Sequence, residues 1–206
     1  MMRAWLTALL VAPLACGGTP SREDSDIDVV ADARPVDERD ATPLPLDDGG
    51  APSFKVVFAT SSKHNGDLGG LEGADAHCAE RAAAAGLEGS FLAWMSTPEM
   101  AAGERLAHAD VPYVRTDWKR VADDWDDLVD GTLLAPIDRD EDATPVFGDA
   151  WTGTRADGQP ATLTCGGFDT TGDSGVCGST GETGAAWTDS VQPPCTSALR
   201  LYCVQQ

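Results

Sequence analysis

Ser174, in Gly172-Asp173-Ser174-Gly175, and His77, in Ala76-His77-Cys78, are a nucleophile and a base in sequence terms. Serine-dependent acyl transfer needs such a pair within hydrogen-bond reach, a buried carboxylate behind the histidine, and backbone amides beside the serine. Gly, Asp and Ser are also the ordinary residues of turns, and His77 falls in an alanine-rich helical stretch. A second chemistry is cation binding. Asp138-Arg139-Asp140-Glu141-Asp142 presents alternating carboxylates, and hard oxygen ligands at such spacing can converge on calcium. His64, His77 and His108 are scattered, and no His/Cys/Asp group has zinc spacing.

The calcium reading has limits. Asp149 is the twelfth residue from Asp138, but Ala143 replaces the turn glycine of an EF-hand loop, Pro145 interrupts it, and no helix pair flanks it. A looser structural calcium site on Asp138, Asp140 and Asp142 stays open, against the plainer alternative of an acidic solvated loop.

Export sets the context for the cysteines. Arg3 is followed by an apolar run, Ala4 to Leu14, which is too short for a spanning helix; that takes about 20 residues. The run ends in Pro13-Leu14-Ala15-Cys16-Gly17, which resembles a bacterial lipobox in which Cys16 is acylated and becomes the new N-terminus. Pro13 departs from that pattern, and the alternative is an ordinary cleaved signal peptide with Cys16 incidental. Gly17 after the cysteine implies the outer membrane. The expectation is a signal peptide over 1–15 and a lipid-anchored envelope protein.

Residues 16–52 show no hydrophobic periodicity and are rich in Asp, Glu, Pro, Ala and Gly, so an extended disordered acidic tether is expected. Residues 53–206 are the size of one domain. The whole chain has 34 acidic and 14 basic residues and a formal charge of −20, which argues against nucleic acid and other polyanions as partners.

The elements that must position any site are short. Patterning predicts a strand over 54–60 and a helix over 71–85 with Leu71, Ala74, Cys78, Ala82 and Ala85 on one stripe and Gly86 as its C′ cap. It predicts further strands over 90–96, 150–154 and 199–204, and a short helix over 123–129. Helices early and irregular strands late indicate α+β. Five cysteines remain after Cys16, so one is unpaired within the chain.

Trp187-Thr188-Asp189, then Cys195 and Cys203 inside Leu199-Arg200-Leu201-Tyr202-Cys203-Val204, resemble the C-terminus of a C-type lectin-like domain. Phe91-Leu92-Ala93-Trp94-Met95-Ser96, Trp151-Thr152-Gly153-Thr154, Gly158 and Cys165 resemble the motif order of the endostatin-like branch. Leu68-Gly69-Gly70-Leu71, Gly73-Ala74-Asp75 and Cys78 resemble a bacterial lipoprotein family catalogued as a domain of unknown function. The resemblance implies nested bridges, Cys78 to Cys203 and Cys165 to Cys195. It leaves Cys177 over, either as a buried inert thiol or as a partner-linking one. Asp189 matches a family calcium ligand, but the sugar-binding Glu-Pro-Asn or Gln-Pro-Asp element is missing: Gln192-Pro193-Pro194 and Gln159-Pro160-Ala161 lack the acceptor side chain. The Ser174 and His77 fragments also resemble trypsin-like protease motifs, yet Val176-Cys177 stand where that motif has a second glycine and a proline.

Trp94, Trp151 and Trp187 are expected in the core. Trp118, between Asp117 and Lys119, is the tryptophan best placed for exposure, although a core or half-buried position is expected for it as well. The expected function is a non-enzymatic surface lipoprotein binding a protein or glycan, with Trp118 and Asp189 as candidate ligand contacts. The alternatives are a structural envelope protein and a hydrolase using Ser174.

Overall fold

The computed structural model describes residues 54–206. The expected signal peptide 1–15, lipidated Cys16 and tether 16–52 lie outside the described residues. No described helix is long and apolar enough to cross a membrane.

The domain is α+β. Seven strands are β1 (Lys55–Ala59), β2 (Phe91–Ala93), β3 (Tyr113–Arg115), β4 (Arg120–Ala122), β5 (Asp149–Trp151), β6 (Cys177–Ser179) and β7 (Arg200–Gln205). Four helices are α1 (Gly70–Ala84), α2 (Ala102–Arg105), α3 (Trp125–Leu128) and α4 (Cys165–Phe168), with a 3-10 turn at Ala185–Trp187. The sheet runs β4-β3-β1-β7-β5-β6, with β2 also on β7. β7 is the hub. It takes β1 antiparallel at Val57 to Ala59, β2 antiparallel along Cys203 to Gln205, and β5 parallel along Arg200 and Leu201. Its burial follows, since Leu201 to Gln205 are all enclosed.

α1 starts without a side-chain cap and buries Ala74, Cys78 and Ala82, the small residues of the expected stripe. Small side chains let the helix lie close on β2 and β7. Its end is as anticipated from Gly86: that residue has φ +70°, and Leu87 N–H returns to Ala82 C=O at 2.9 Å, the signature of a left-handed C-terminal cap. Cys78 is bonded to Cys203 and Cys165 to Cys195, across 125 and 30 residues. In the chain-entropy model such loops stabilise by about 5 and about 3.5 kcal/mol at most.

β1 splits the core between two faces. Val57 and Ala59 join Trp94, Tyr113, Trp125, Trp187 and Tyr202 on one side. Val56 and Phe58 join α1, Phe91, Trp151, Phe168 and the disulfides on the other. Period-2 alternation within one short strand thus feeds two clusters.

The edge of β2 is closed by side chains. Asp75 accepts from Ala93 N–H at 2.9 Å, Arg105 donates to Ala93 C=O at 2.7 Å, and Asp75 and Arg105 pair with each other. An otherwise open pairing edge is blunted by one ion pair.

Candidate functional site

Three of the sequence motifs meet in a buried polar network. Trp94 Nε1 donates to Thr188 Oγ1 at 2.8 Å, and Thr188 Oγ1 donates to Thr154 C=O at 2.9 Å. Thr152 Oγ1 donates to Thr188 C=O at 2.6 Å, and Thr154 and Ser96 share a hydroxyl–hydroxyl bond of 2.8 Å. Ser96 Oγ also accepts from Ala102 N–H, which seats the start of α2. Ser96, Thr152, Thr154 and Thr188 are all buried, so each must be satisfied internally. This network is architecture: it joins the 91–96, 151–154 and 187–189 segments from within.

The predicted chemical residues are dispersed. Ser174 does not meet His77. The Ser174 backbone carbonyl accepts from Cys165 N–H at 3.3 Å, and Asp173 Oδ1 is occupied by the Ser174 amide. His77 instead stacks on His64, ring centroids 3.8 Å apart. A β-carbon on Gly175 would fall 2.6 Å from Cys165 Sγ, so the glycine after Ser174 lets the chain wrap the second disulfide.

Asp138, Asp140 and Asp142 go to different partners in the structure. Asp138 pairs with Arg115 and with Arg139. Asp140 Oδ1 accepts from Asp142 N–H at 3.0 Å and from Thr144 N–H at 2.8 Å, closing a turn. Asp142 is exposed. Glu141, within the same run, is buried and takes both the amide and the hydroxyl of Ser61. Among the described residues no group of three or more His, Cys, Asp and Glu side chains is placed to hold a metal ion.

Asp189 is exposed on an open groove that Asp130, Arg155 and Asp157 also line. Trp118 is not among the residues lining this groove.

Cys177 is a buried free thiol on β6. Burial, then the nearby Asp149 carboxylate, push its pKa up to about 12, against a hydrogen bond to Val191 C=O. Of the two readings left open, the inert thiol fits: a reactive cysteine needs thiolate character and access.

His64 is held by Ser62 Oγ at 3.0 Å from Nε2. Burial, and then His77, keep it below the ordinary imidazole value, with Arg81 adding to the effect and Glu80 opposing it.

The expectation of a core or half-buried Trp118 is also corrected: 58 % of it is exposed. It sits at the tip of the β3–β4 hairpin, where Trp118 N–H bonds Arg115 C=O and Arg115 N–H bonds Lys119 C=O, each at 2.9 Å. This turn puts Trp118 at φ +67°, a left-handed conformation rare for a bulky side chain. What holds it is a charge network beneath. Buried Arg115 grips Asp117 through Nε at 2.9 Å and Nη2 at 2.7 Å, and reaches Asp138 and Pro136 C=O through Nη1. Arg139 joins Asp117 at 3.1 Å and Asp138 at 3.0 Å. Burial alone would raise the Asp117 carboxyl. Arg115, the Lys119 amide and Arg139 outweigh it and leave the group below the usual aspartate value. Phe54 meets the indole edge-on, with centroids 5.3 Å apart at 84°.

The hairpin was missed in sequence because β3 and β4 are three residues each and carry arginines. Asp117-Trp118-Lys119 flanked by Val114 and Val121 was the available signal. No family model and no curated protein matches this chain.

Proposed function

We propose that the chain is a non-enzymatic, lipid-anchored envelope protein whose α+β domain is C-type lectin-like, of the endostatin-like branch, and binds a ligand through the β3–β4 hairpin. One observation carries the reading: an exposed tryptophan in a strained left-handed conformation, fixed by a buried arginine network. Strain of this kind is concentrated at functional positions, because only surrounding structure that over-determines the site can maintain it. A stiff aromatic contact also loses little conformational entropy on binding.

The fold assignment is supported by the two nested disulfides and by the meeting of the 91–96, 151–154 and 187–189 segments in one hydrogen-bond network. The lipid anchor and outer-membrane placement rest on the Leu14-Ala15-Cys16-Gly17 sequence. A purely structural envelope role would be helped by a linking thiol, and the buried Cys177 is not available as one.

The test is a binding screen of the oxidised chain against immobilised glycans and matrix proteins, with and without calcium, alongside Trp118→Gly. Saturable binding that the variant loses is the expected result. No binding to any member of either panel would count heavily against the reading.

A further inference from the structure

We infer that the stacked pair His64 and His77 is an acid-sensitive latch that keeps the loop between β1 and α1 closed over the Cys165–Cys195 disulfide. This goes beyond the hairpin reading and does not depend on it.

The latch joins a fixed element to a yielding one. His77 lies on α1 next to Cys78, whose bond to Cys203 pins that helix to β7. His64 lies in the loop, and its ring meets that of His77 face to face, centroids 3.8 Å apart at 27°. The backbone bonds of the loop run to another irregular stretch. His64 N–H bonds Leu199 C=O at 2.7 Å, Leu199 N–H returns to His64 C=O at 2.9 Å, and Gly66 N–H bonds Cys195 C=O at 2.7 Å. A push between the rings is therefore taken up by the loop and the 195–199 segment, not by α1.

What the loop covers gives the latch its consequence. A β-carbon on Gly66 would fall 2.4 Å from Cys165 Sγ and 2.9 Å from Cys195 Cβ, so the Gly66 backbone lies directly on the disulfide. Both cysteines are fully enclosed. Trp151 Nε1 donates to His64 C=O at 3.0 Å and loses that partner when the loop lifts.

The charges around the pair set the direction of the response. On α1, His77 and Arg81 oppose a proton on His64, and Glu80 favours it. Glu80 is exposed and already paired with Arg81 at 3.1 Å. From the 138–142 run, Glu141 is committed to Ser61 and to Arg81. From β7, Arg200 donates to the Thr60 and Ser61 carbonyls and adds positive charge. Lys63 and Asp67 in the loop, and Asp169 bridged to Asp67, are exposed, where water screens them. The pair is thus short of negative charge. Two imidazolium rings in contact repel, and the closed form gives way in acid.

The experiment treats the full oxidised chain with a water-soluble phosphine, which reduces disulfides in acid as well as at neutral pH. The phosphine gives two electrons to the disulfide, leaves two thiols, and takes an oxygen from water to become its oxide. Each disulfide is followed by alkylation and peptide mapping at about pH 7.5 and about pH 5, on either side of the ordinary imidazole value of 6.5. Rates are divided by that of oxidised glutathione under the same conditions. The expected result is that Cys165–Cys195 is reduced about tenfold or more faster at the lower pH while Cys78–Cys203 stays intact. His77→Phe keeps a flat ring without a charge and should stay slow at both pH values. His64→Gln removes the ring and should be fast at both. Three outcomes overturn the inference. Equal normalised rates at the two pH values leave no latch. Both disulfides yielding together in acid report general unfolding instead. Acid acceleration that persists in His77→Phe takes His77 out of the device. None of these outcomes bears on binding at Trp118, so the two readings fail separately.

Discussion

Trp94 and Thr188 lie 94 positions apart in the chain and are joined by one buried hydrogen bond of 2.8 Å from indole Nε1 to hydroxyl. The same hydroxyl donates onward to Thr154 C=O, so one threonine satisfies two groups that have no water to turn to. Replacing Thr188 by Val keeps the shape and removes both bonds. Leaving a buried donor and a buried acceptor unpaired should cost about 2–4 kcal/mol. Urea denaturation of Thr188→Val and Thr188→Ser checks this, and Ser should recover most of the loss. Equal midpoints for Val and wild type would remove the network from any account of stability.

Gly175 makes the approach of the chain to the second disulfide possible. Its added β-carbon would lie 2.6 Å from Cys165 Sγ and 3.1 Å from the Trp151 ring. Gly175→Ala should therefore destabilise by about 2 kcal/mol or more through overpacking. Ser174→Ala, one residue earlier, should leave stability nearly unchanged and abolish no activity, since Ser174 and His77 have separate partners. Labelling of Ser174 by a serine-reactive phosphonate would restore the hydrolase reading.

Acid sensitivity has two expected sources. Burial and the stacked His77 hold the folded His64 below the ordinary imidazole value of 6.5. Between that value and the lower folded one the unfolded chain binds more protons, so stability falls as pH drops through the window and is fully present above it. Asp117, also lowered, adds a second loss further down, once pH falls below the ordinary carboxylate range. The urea midpoint measured from pH 7.5 down to 5 should decline, and His64→Gln should flatten that decline. An unchanged slope in the variant would show that His64 is not its source.

Cys177 should resist chemistry while the domain is folded. With its pKa pushed up to about 12 and the side chain buried, iodoacetamide at pH 8 should label Cys177 only after unfolding. Peptide mapping by mass spectrometry distinguishes it from the other cysteines. Rapid labelling of native protein, or a Cys177-linked dimer, would return the thiol to the list of partner contacts.

Much of the scaffold is legible in the sequence. The helix that buries Ala74, Cys78 and Ala82, its Gly86 cap, β1, β5 and β7 all carry local signals: a 3.6-residue stripe, a positive-φ glycine, runs of β-branched and aromatic residues. Such signals act over a few neighbours, so a sequence shows them directly. β3, β4 and β6 carry too little local pattern to stand out, and they exist because β1 offers an edge to β3, β3 to β4 and β5 to β6.

Charge was the hardest feature to place. Asp138-Arg139-Asp140-Glu141-Asp142 is an alternating acidic run by sequence, yet its members go to four destinations: an arginine pair, a turn, a buried serine clamp and solvent. Which of these a carboxylate finds depends on Arg115, on β3, and Ser61, in the loop after β1. By itself the sequence determined the short apolar N-terminal run, the acidic balance and the local elements, because each depends on composition or near neighbours. Tertiary structure alone decided that Asp138 braces a hairpin, that Ser174 and His77 stay apart, and that Trp118 faces solvent. Those outcomes are set by the long-range pairing around β7 and by the arginines it carries inward.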